Sequence, residues 1–437
     1  MCYSTIVLES CYDNLPGVTY HRVETDIGTF SFAQGVQSVL PALLEELTAF
    51  RKAAKKKMAE AHARGDEFGA ALHNSEQLAF KVTMNSAYGF TGTQENGYLS
   101  CTPIAASVTA MGRQMLEKTK ALVESMGPGT VPYGDTDSVF CLLDLGEEHQ
   151  FDRAAHFARA SWLAEEITKQ FPNPVFLEME KLYQPFLLKT RKMYAGLMYA
   201  DPDNPDKPTK LDTKGLSVVR RDSCKAARKL GMEMLHEIMY NRSVPKAIDL
   251  AHQYMLNLLG GKIAVSDLVL SKKLRPKEEY KNSAAVPHLL VADKIFKRTG
   301  EAVPQGKRVE FIPVRDRDNP DASFAECAED PTYIVDNGLQ YDVMYYLNKQ
   351  LGVPVKVLLA LTENVPESRV IDLIVSQHPQ LRREVMLLEK EYQSDLESRR
   401  KRDAVARAAD KREQERERLK QPRLTDFIKK RSLAAMQ

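Results

Sequence analysis

The 437-residue chain has no apolar run near the ~18–20 residues that a bilayer-spanning helix needs, so no such helix is expected. Residues 1–20 show no basic stretch leading into an apolar one, which argues against a secretory signal. Cysteine is sparse: Cys2, Cys11, Cys101, Cys141, Cys224 and Cys327 are scattered, with no Cys-x-x-Cys pair. That pattern argues against a disulfide framework and a cysteine zinc site, and it fits a reducing compartment. No internal repeat is visible. What is present is an ordinary globular mixture, 43% hydrophobic and 27% charged, enough for two to four domains or subdomains with a real core.

Charge is almost balanced, at +2, but unevenly spread. Residues 398–437 hold 14 Lys/Arg against 6 Asp/Glu, a net of +8; the other 397 residues hold 47 against 53, a net of −6. The tail is therefore a separate electrostatic object, suited to a nucleic-acid neighbourhood or simply to solvent.

Along the chain, residues 1–35 read as strand-rich. Leu40, Leu43, Leu44, Leu47, Phe50, Ala54 and Met58 keep helical spacing and predict a helix over 36–63. Gly65-Asp66 marks a turn, and a second helix from Phe68 to Tyr88 must run antiparallel to the first, because the link is short. A third helix over 103–125 precedes a hairpin in "TVPYGDTDSVFCLLDL". Another helix is expected over 151–170 and strands over 174–200, including "VFLEME". The pattern over 216–390 is mostly helical, with short strands near 308–314. A charge-rich helix or tether follows, with no apolar heptads for a coiled coil.

The chemistry concentrates in three places. In Tyr133-Gly134-Asp135-Thr136-Asp137-Ser138, two carboxylates sit two apart in a tight turn, an oxygen-rich arrangement suited to hard divalent cations. A bare D-x-D is more often an ordinary Asp-rich turn, but apolar runs on both sides predict a buried hairpin with its tip aimed at something. In "KVTMNSAYG", Lys81, Asn85 and Tyr88 fall at i, i+4 and i+7, placing a cation, an amide and a phenol on one helix stripe. Arg51 and Lys55 share a face of the preceding helix and, with Lys81, could cradle a triphosphate; the alternative is a solvated basic face. His62, His73, His156 and His288 show no metal spacing and are expected at the surface, and Trp162 beside Leu163 and Ile167 is expected in the core.

Together these segments resemble family B DNA polymerases of the delta type. "KVTMNSAYG" resembles their motif B, "YGDTDS" their motif C, and "TRKMYAGL" their K-K-x-Y motif. "LDTKGLSVVRRD" resembles the entry to the thumb, and "CYSTIV" the segment just after motif A. The order and spacing agree over about residues 1–390. The resemblance implies an α+β right-hand polymerase: palm over 1–35 and 99–215, fingers of two antiparallel helices over 36–98, a mostly helical thumb over 216–390, and a charged tail over 391–437.

It also implies roles. Asp135 and Asp137 would hold the two Mg²⁺ ions, with Asp137 the more direct ligand and Glu178 and Glu180 nearby. Arg51, Lys55 and Lys81 would meet the dNTP triphosphate, while Asn85 and Tyr88 line the nascent base pair. Lys192, Tyr194, Lys214, Arg220 and Arg221 would contact primer-template DNA. The implied reaction is attack of the primer 3′-hydroxyl on the α-phosphate of the dNTP, with pyrophosphate leaving. The implied setting is a nucleus or a viral replication site.

Motif A, which carries the family's other essential carboxylate, would precede Met1. The isolated chain is therefore expected to need that segment in cis, or in trans from a separate amino-terminal polymerase chain, before it polymerises. A DNA- and clamp-binding scaffold without activity is the rival reading. A reverse transcriptase is disfavoured, because Thr136 separates the two aspartates that such enzymes usually carry side by side. Finally, Gln421, Leu424, Phe427 and Ile428 resemble a sliding-clamp-binding box, with Leu424 and Phe427 as apolar plugs on one helical turn and Ile428 in place of a second aromatic residue.

Overall fold

A computed structural model describes residues 17, 19–35, 39–93, 97, 100–127, 129–173, 175–216, 221–316, 319, 322–363 and 365–420. It mixes helices with small antiparallel sheets, the expected α+β class. The chain divides into two compact units, Met1–Gln184 with Met198–Lys210, and Pro185–Leu197 with Leu211–Gln437. Among the described residues, no helix is long and apolar enough to cross a membrane.

The first unit opens with strands β1 (Tyr20–Thr25) and β2 (Gly28–Ala33), a hairpin in which Val23 faces Phe30. Helices α1 (Val39–Ala63) and α2 (Glu67–Thr91) form the expected antiparallel pair. Gly65, at φ +73°, makes the turn between them, and Asp66 caps α2 through its carboxylate and the Gly69 amide at 2.8 Å. Buried Ala54 and Ala61 on α1, and Ala70, Gln77, Met84 and Thr91 on α2, repeat at seven-residue steps. That spacing keeps a narrow seam facing the partner helix, and the alanines allow close approach.

Helix α3 (Thr102–Met126) packs on α2, on β1 and on the hairpin of β3 (Gly129–Asp135) and β4 (Ser138–Leu143). It is the common support of this unit. Ile104, Val108 and Ala110 on α3 join Val23 and Phe32 in a small core. Helix α4 (Arg153–Thr168) lies against α3.

In the second unit, strands β5 (Leu182–Thr190), β6 (Met193–Tyr199) and β7 (Lys210–Lys214) form a sheet in that order; β5 begins and β6 ends in the first unit. Helices α5 (Lys225–Met239) and α6 (Val244–Leu259) pack against each other. On α5 the buried residues Ala226, Ala227, Leu230, Met234, Leu235 and Ile238 trace a wide helical stripe. After the short α7 (Val265–Leu268), β8 (Leu270–Lys273), α8 (Pro287–Thr299), β9 (Arg308–Pro313) and β10 (Ala328–Glu329) build a three-stranded sheet with α8 against it.

Helices α9 (Pro331–Asn337), α10 (Val343–Tyr345), α11 (Gly352–Glu363) and α12 (Glu367–Gln377) follow, with a π-helical turn at Tyr346–Leu351 between α10 and α11. One hydrophobic core runs through this unit. Helix α13 (Pro379–Lys420) starts before residue 390, where the charge-rich helix is expected to follow, because Leu381 and Val385 pin its first turns to the core.

Four expectations give way. "VFLEME" is not a strand, and exposed Glu178 and Glu180 lie on irregular chain tied back to α4 by Thr168, whose hydroxyl takes the Leu177 amide at 2.9 Å. The 130–145 hairpin is only lightly buried: Tyr133 is enclosed but Leu142 is 67% exposed. Trp162 is 42% exposed, with the Arg159 guanidinium 4.3 Å from its ring, while Leu163, one step round α4, takes the buried side. His288 is buried rather than at the surface.

Candidate active site

The hairpin tip is the densest group of candidates. Asp135 pairs with Ser138 across a two-residue turn, so Thr136 and Asp137 form its apex. Such short turns need backbone of the left-handed kind to match strand twist. Thr136 adopts it, at φ 59°, at a cost of about 1–2 kcal/mol for a residue bearing a Cβ. Local hydrogen bonds hold the bend. The Asp137 amide donates to the Asp135 carbonyl at 2.7 Å, and the Ser138 hydroxyl donates to the same carbonyl at 3.1 Å. The Thr136 hydroxyl donates to Asp135 Oδ1 at 3.0 Å, which orients that half-buried carboxylate.

Asp137 is exposed. Below the tip, Tyr133 and its cross-strand partner Phe140 have ring centroids 5.0 Å apart, and Phe140 stacks on Tyr183 at 6.1 Å. This aromatic column stiffens the base of the turn. The oxygen-only donor set at the tip fits a hard cation of the Mg²⁺ kind. Among the described residues, the one cluster of three potential metal-ligating side chains lies elsewhere, at Asp249, His252 and His378.

The helix pair carries the second group. Lys55 follows Ala54, Lys81 follows Phe80 and Asn85 follows Met84, and those preceding residues line the seam. Each step turns a side chain by about 100°, and on antiparallel helices facing each other the two rotations point to the same side. Lys55, Lys81 and Asn85 are thus exposed along one edge of the pair. Arg51 lies in the seam itself: its Nε donates to Gln77 Oε1 at 3.3 Å, while Gln77 Nε2 donates to Asn74 Oδ1 at 3.0 Å. The buried glutamine was not singled out in the sequence, although its place on the seven-residue seam marks a polar group that must find partners there. Tyr88 is half-buried against the small core of Val23, Phe32, Ile104 and Val108, anchoring the end of α2.

In the second unit, Arg191 and Lys192 form the two-residue turn between β5 and β6, with Lys192 at φ 60° and exposed. Tyr194, two residues on, is buried at 6% exposure, its ring 5.3 Å from Phe186. Gly215, at φ +64°, lies so close beneath this turn that a Cβ there would collide with the Lys192 carbonyl oxygen. The two basic motifs are therefore built as one piece. Lys214 is exposed and 3.8 Å from buried Asp212. Arg221 is exposed, and its carbonyl accepts from Arg308 at 3.4 Å. Arg220, Gln421, Leu424, Phe427 and Ile428 lie outside the described residues.

The sequence model of DNA polymerase family B matches residues 1–362, and the chain belongs to that family. It is 40% identical over 403 residues to a DNA polymerase of Paramecium bursaria Chlorella virus NY2A, covering 91% of this chain and 43% of that protein. It is 37% identical over 390 residues to the DNA polymerase delta catalytic subunit of Oryza sativa subsp. japonica, covering 86% and 34%. To the delta catalytic subunit of Candida albicans it is 35% identical over 375 residues, covering 82% and 34%. The chain thus spans between a third and a half of the length of these relatives.

Proposed function

We propose that the chain supplies the carboxy-terminal polymerase region of a DNA-directed DNA polymerase acting in DNA replication, in a nucleus or at a viral replication site. The observation that carries this is the hydrogen-bonded Asp135-Thr136-Asp137 apex, in a chain matched by the family B model over residues 1–362. In this reading residues 1–35 and 99–215 are palm, 36–98 fingers, 216–390 thumb and 391–437 a charged tail.

Asp135 and Asp137 would hold two Mg²⁺ ions, which would neutralise phosphate charge and make the primer hydroxyl easier to deprotonate. Asp137 presents its carboxylate from the apex, and the Thr136 hydroxyl fixes the direction of Asp135. Arg51, oriented by Gln77, meets the triphosphate with Lys55 and Lys81 from one edge of the helix pair. Asn85 and Tyr88 line the nascent base pair, with Tyr88 steadied by its core contacts. Lys192, Lys214, Arg220 and Arg221 neutralise the phosphates of primer-template DNA, and buried Tyr194 positions the Lys192 turn. Gln421, Leu424, Phe427 and Ile428 engage a sliding clamp.

A further carboxylate, of the kind motif A carries in this family, would complete the ligand set from a segment in cis or in trans. The test is primer extension by the chain alone and with a segment bearing motif A. Extension is expected only with that segment, and only with Asp135 and Asp137 intact. Template-dependent synthesis by the Asp137→Asn chain would overturn the assignment.

A second reading, a DNA- and clamp-binding scaffold without catalysis, draws on the absence, among the described residues, of a third ligating side chain beside Asp135 and Asp137. It expects DNA binding and no extension under either condition.

A further inference from the structure

A second, chemically different ligand set lies in the other unit. Asp249 and His252 are three residues apart on α6, and His378 caps the end of α12. One ligand atom from each lies within 4.8 Å of the other two. His252 is 97% buried, with relative exposure of 3%. Its Nε2 is 3.1 Å from the Ile374 carbonyl, one of the last-turn carbonyls of α12 that lacks a helical partner. A carbonyl only accepts, so Nε2 carries the proton and Nδ1 carries the lone pair. That Nδ1 is buried with no hydrogen-bond partner, which is costly for a polar atom unless something binds there. An imidazole that donates through one nitrogen to a backbone carbonyl and offers the other is the usual arrangement of a metal-bound histidine.

We propose that Asp249, His252 and His378 bind one transition-metal cation of the Zn²⁺ class. Two imidazoles and a carboxylate suit Zn²⁺ or Co²⁺ and disfavour Mg²⁺, so this site is separate in chemistry from the aspartate pair of the hairpin. The His252 and His378 rings lie side by side. His378, half-exposed at its helix end, and exposed Asp249 complete the set from the solvent side. The ion ties α6 to the end of α12, and Pro379, the next residue, begins the 42-residue α13. The site therefore fixes the root of that helix.

The experiment uses the full chain and Co²⁺ as a visible probe. One Co²⁺ per chain is expected, with the d–d absorption of a four-coordinate nitrogen–oxygen site, displaced by Zn²⁺; Zn²⁺ is also expected to raise the Tm. His378→Ala and Asp249→Asn alter groups that are not buried and are expected to leave folding intact. The first should weaken Co²⁺ binding by about 100-fold or more, at least the loss that follows from changing an outer-shell partner, and should abolish the Zn²⁺ effect on Tm. The second should weaken binding by a smaller factor. The same absorption and affinity in His378→Ala, or a wild-type chain that gives no band and no Zn²⁺-dependent Tm shift, would overturn the proposal.

Discussion

The two units place their apolar residues in opposite ways. In the second, α5, α6, α11 and α12 share one continuous core, with Leu230, Met234, Met255 and Leu258 at 0% exposure. In the first, the separate cluster of Val23, Phe32, Ile104, Val108 and Ala110 is small, and Phe68, Leu72 and Val82 on α2 are 81%, 56% and 62% exposed. Yet the first unit carries the aspartate turn and the cation-bearing helix edge. Stability is thus invested where packing is dense, and the candidate chemistry sits on elements held by a narrow seam and local hydrogen bonds. Sites that must admit a substrate belong to such lightly packed elements.

The sharpest way to break this comparison is to show that the exposed tip matters for stability. Asp137→Asn, made in a polymerase completed with motif A, is expected to cut extension by about 10³-fold, worth about 4 kcal/mol of barrier. Its Tm is expected to stay within the small range of surface substitutions. A lowered Tm with retained extension would reverse the assignment. In the second unit, Leu230→Ala is expected to cost about 2–5 kcal/mol in chemical denaturation, whereas Val82→Ala on exposed α2 should cost under about 0.5 kcal/mol. Equal losses would erase the distinction between the units. Gly215→Ala tests a point where packing and basic chemistry meet. Its positive φ and the approach of the Lys192 carbonyl predict a loss of about 1–3 kcal/mol and weaker DNA binding together. An Ala variant with unchanged Tm and DNA affinity would show that the turn and the glycine are not coupled.

Much of this was legible in the chain. Regular apolar spacing set α1, α2 and α3 to within a few residues, because long amphipathic helices repeat their signal many times. The two-residue turn at Thr136-Asp137 followed from polar residues between apolar runs. Short or competing signals misled. β8 has four residues, too few for an alternation to stand out beside "KKLRP". In α4, Trp162 and Leu163 are neighbours about 100° apart, so only one could face inward, and a nearby arginine gave the indole an exposed partner. The burial of Tyr194 depends on Phe186, from the strand before it, and the support of Arg51 on Gln77, from the next helix. Cross-element pairs of that kind leave no local periodicity. The convergence of Asp249, His252 and His378 spans 126 positions between its two histidines and leaves none either.

The smallest effect concerns His288, which a reading by composition leaves at the surface. It is buried on α8, its Nε2 3.0 Å from the Tyr280 hydroxyl and its ring stacked 6.4 Å from Phe311. Burial first, and Lys272 second, hold its pKa below the ordinary value. The folded protein therefore resists a proton that the unfolded chain accepts near pH 6.5. Stability from this group is complete above that pH. It falls as the pH drops through 6.5 toward the depressed folded value, with a slope of at most about 1.4 kcal/mol per pH unit, and levels off below it. His288→Gln keeps a polar group beside Tyr280 and removes the titration. Denaturation midpoints measured between pH 7.5 and 5 should fall less steeply in this variant than in the wild type. Parallel curves would mean that the buried imidazole takes up a proton as readily as in the unfolded chain, and that the second unit tolerates a buried charge where its dense core argues against one.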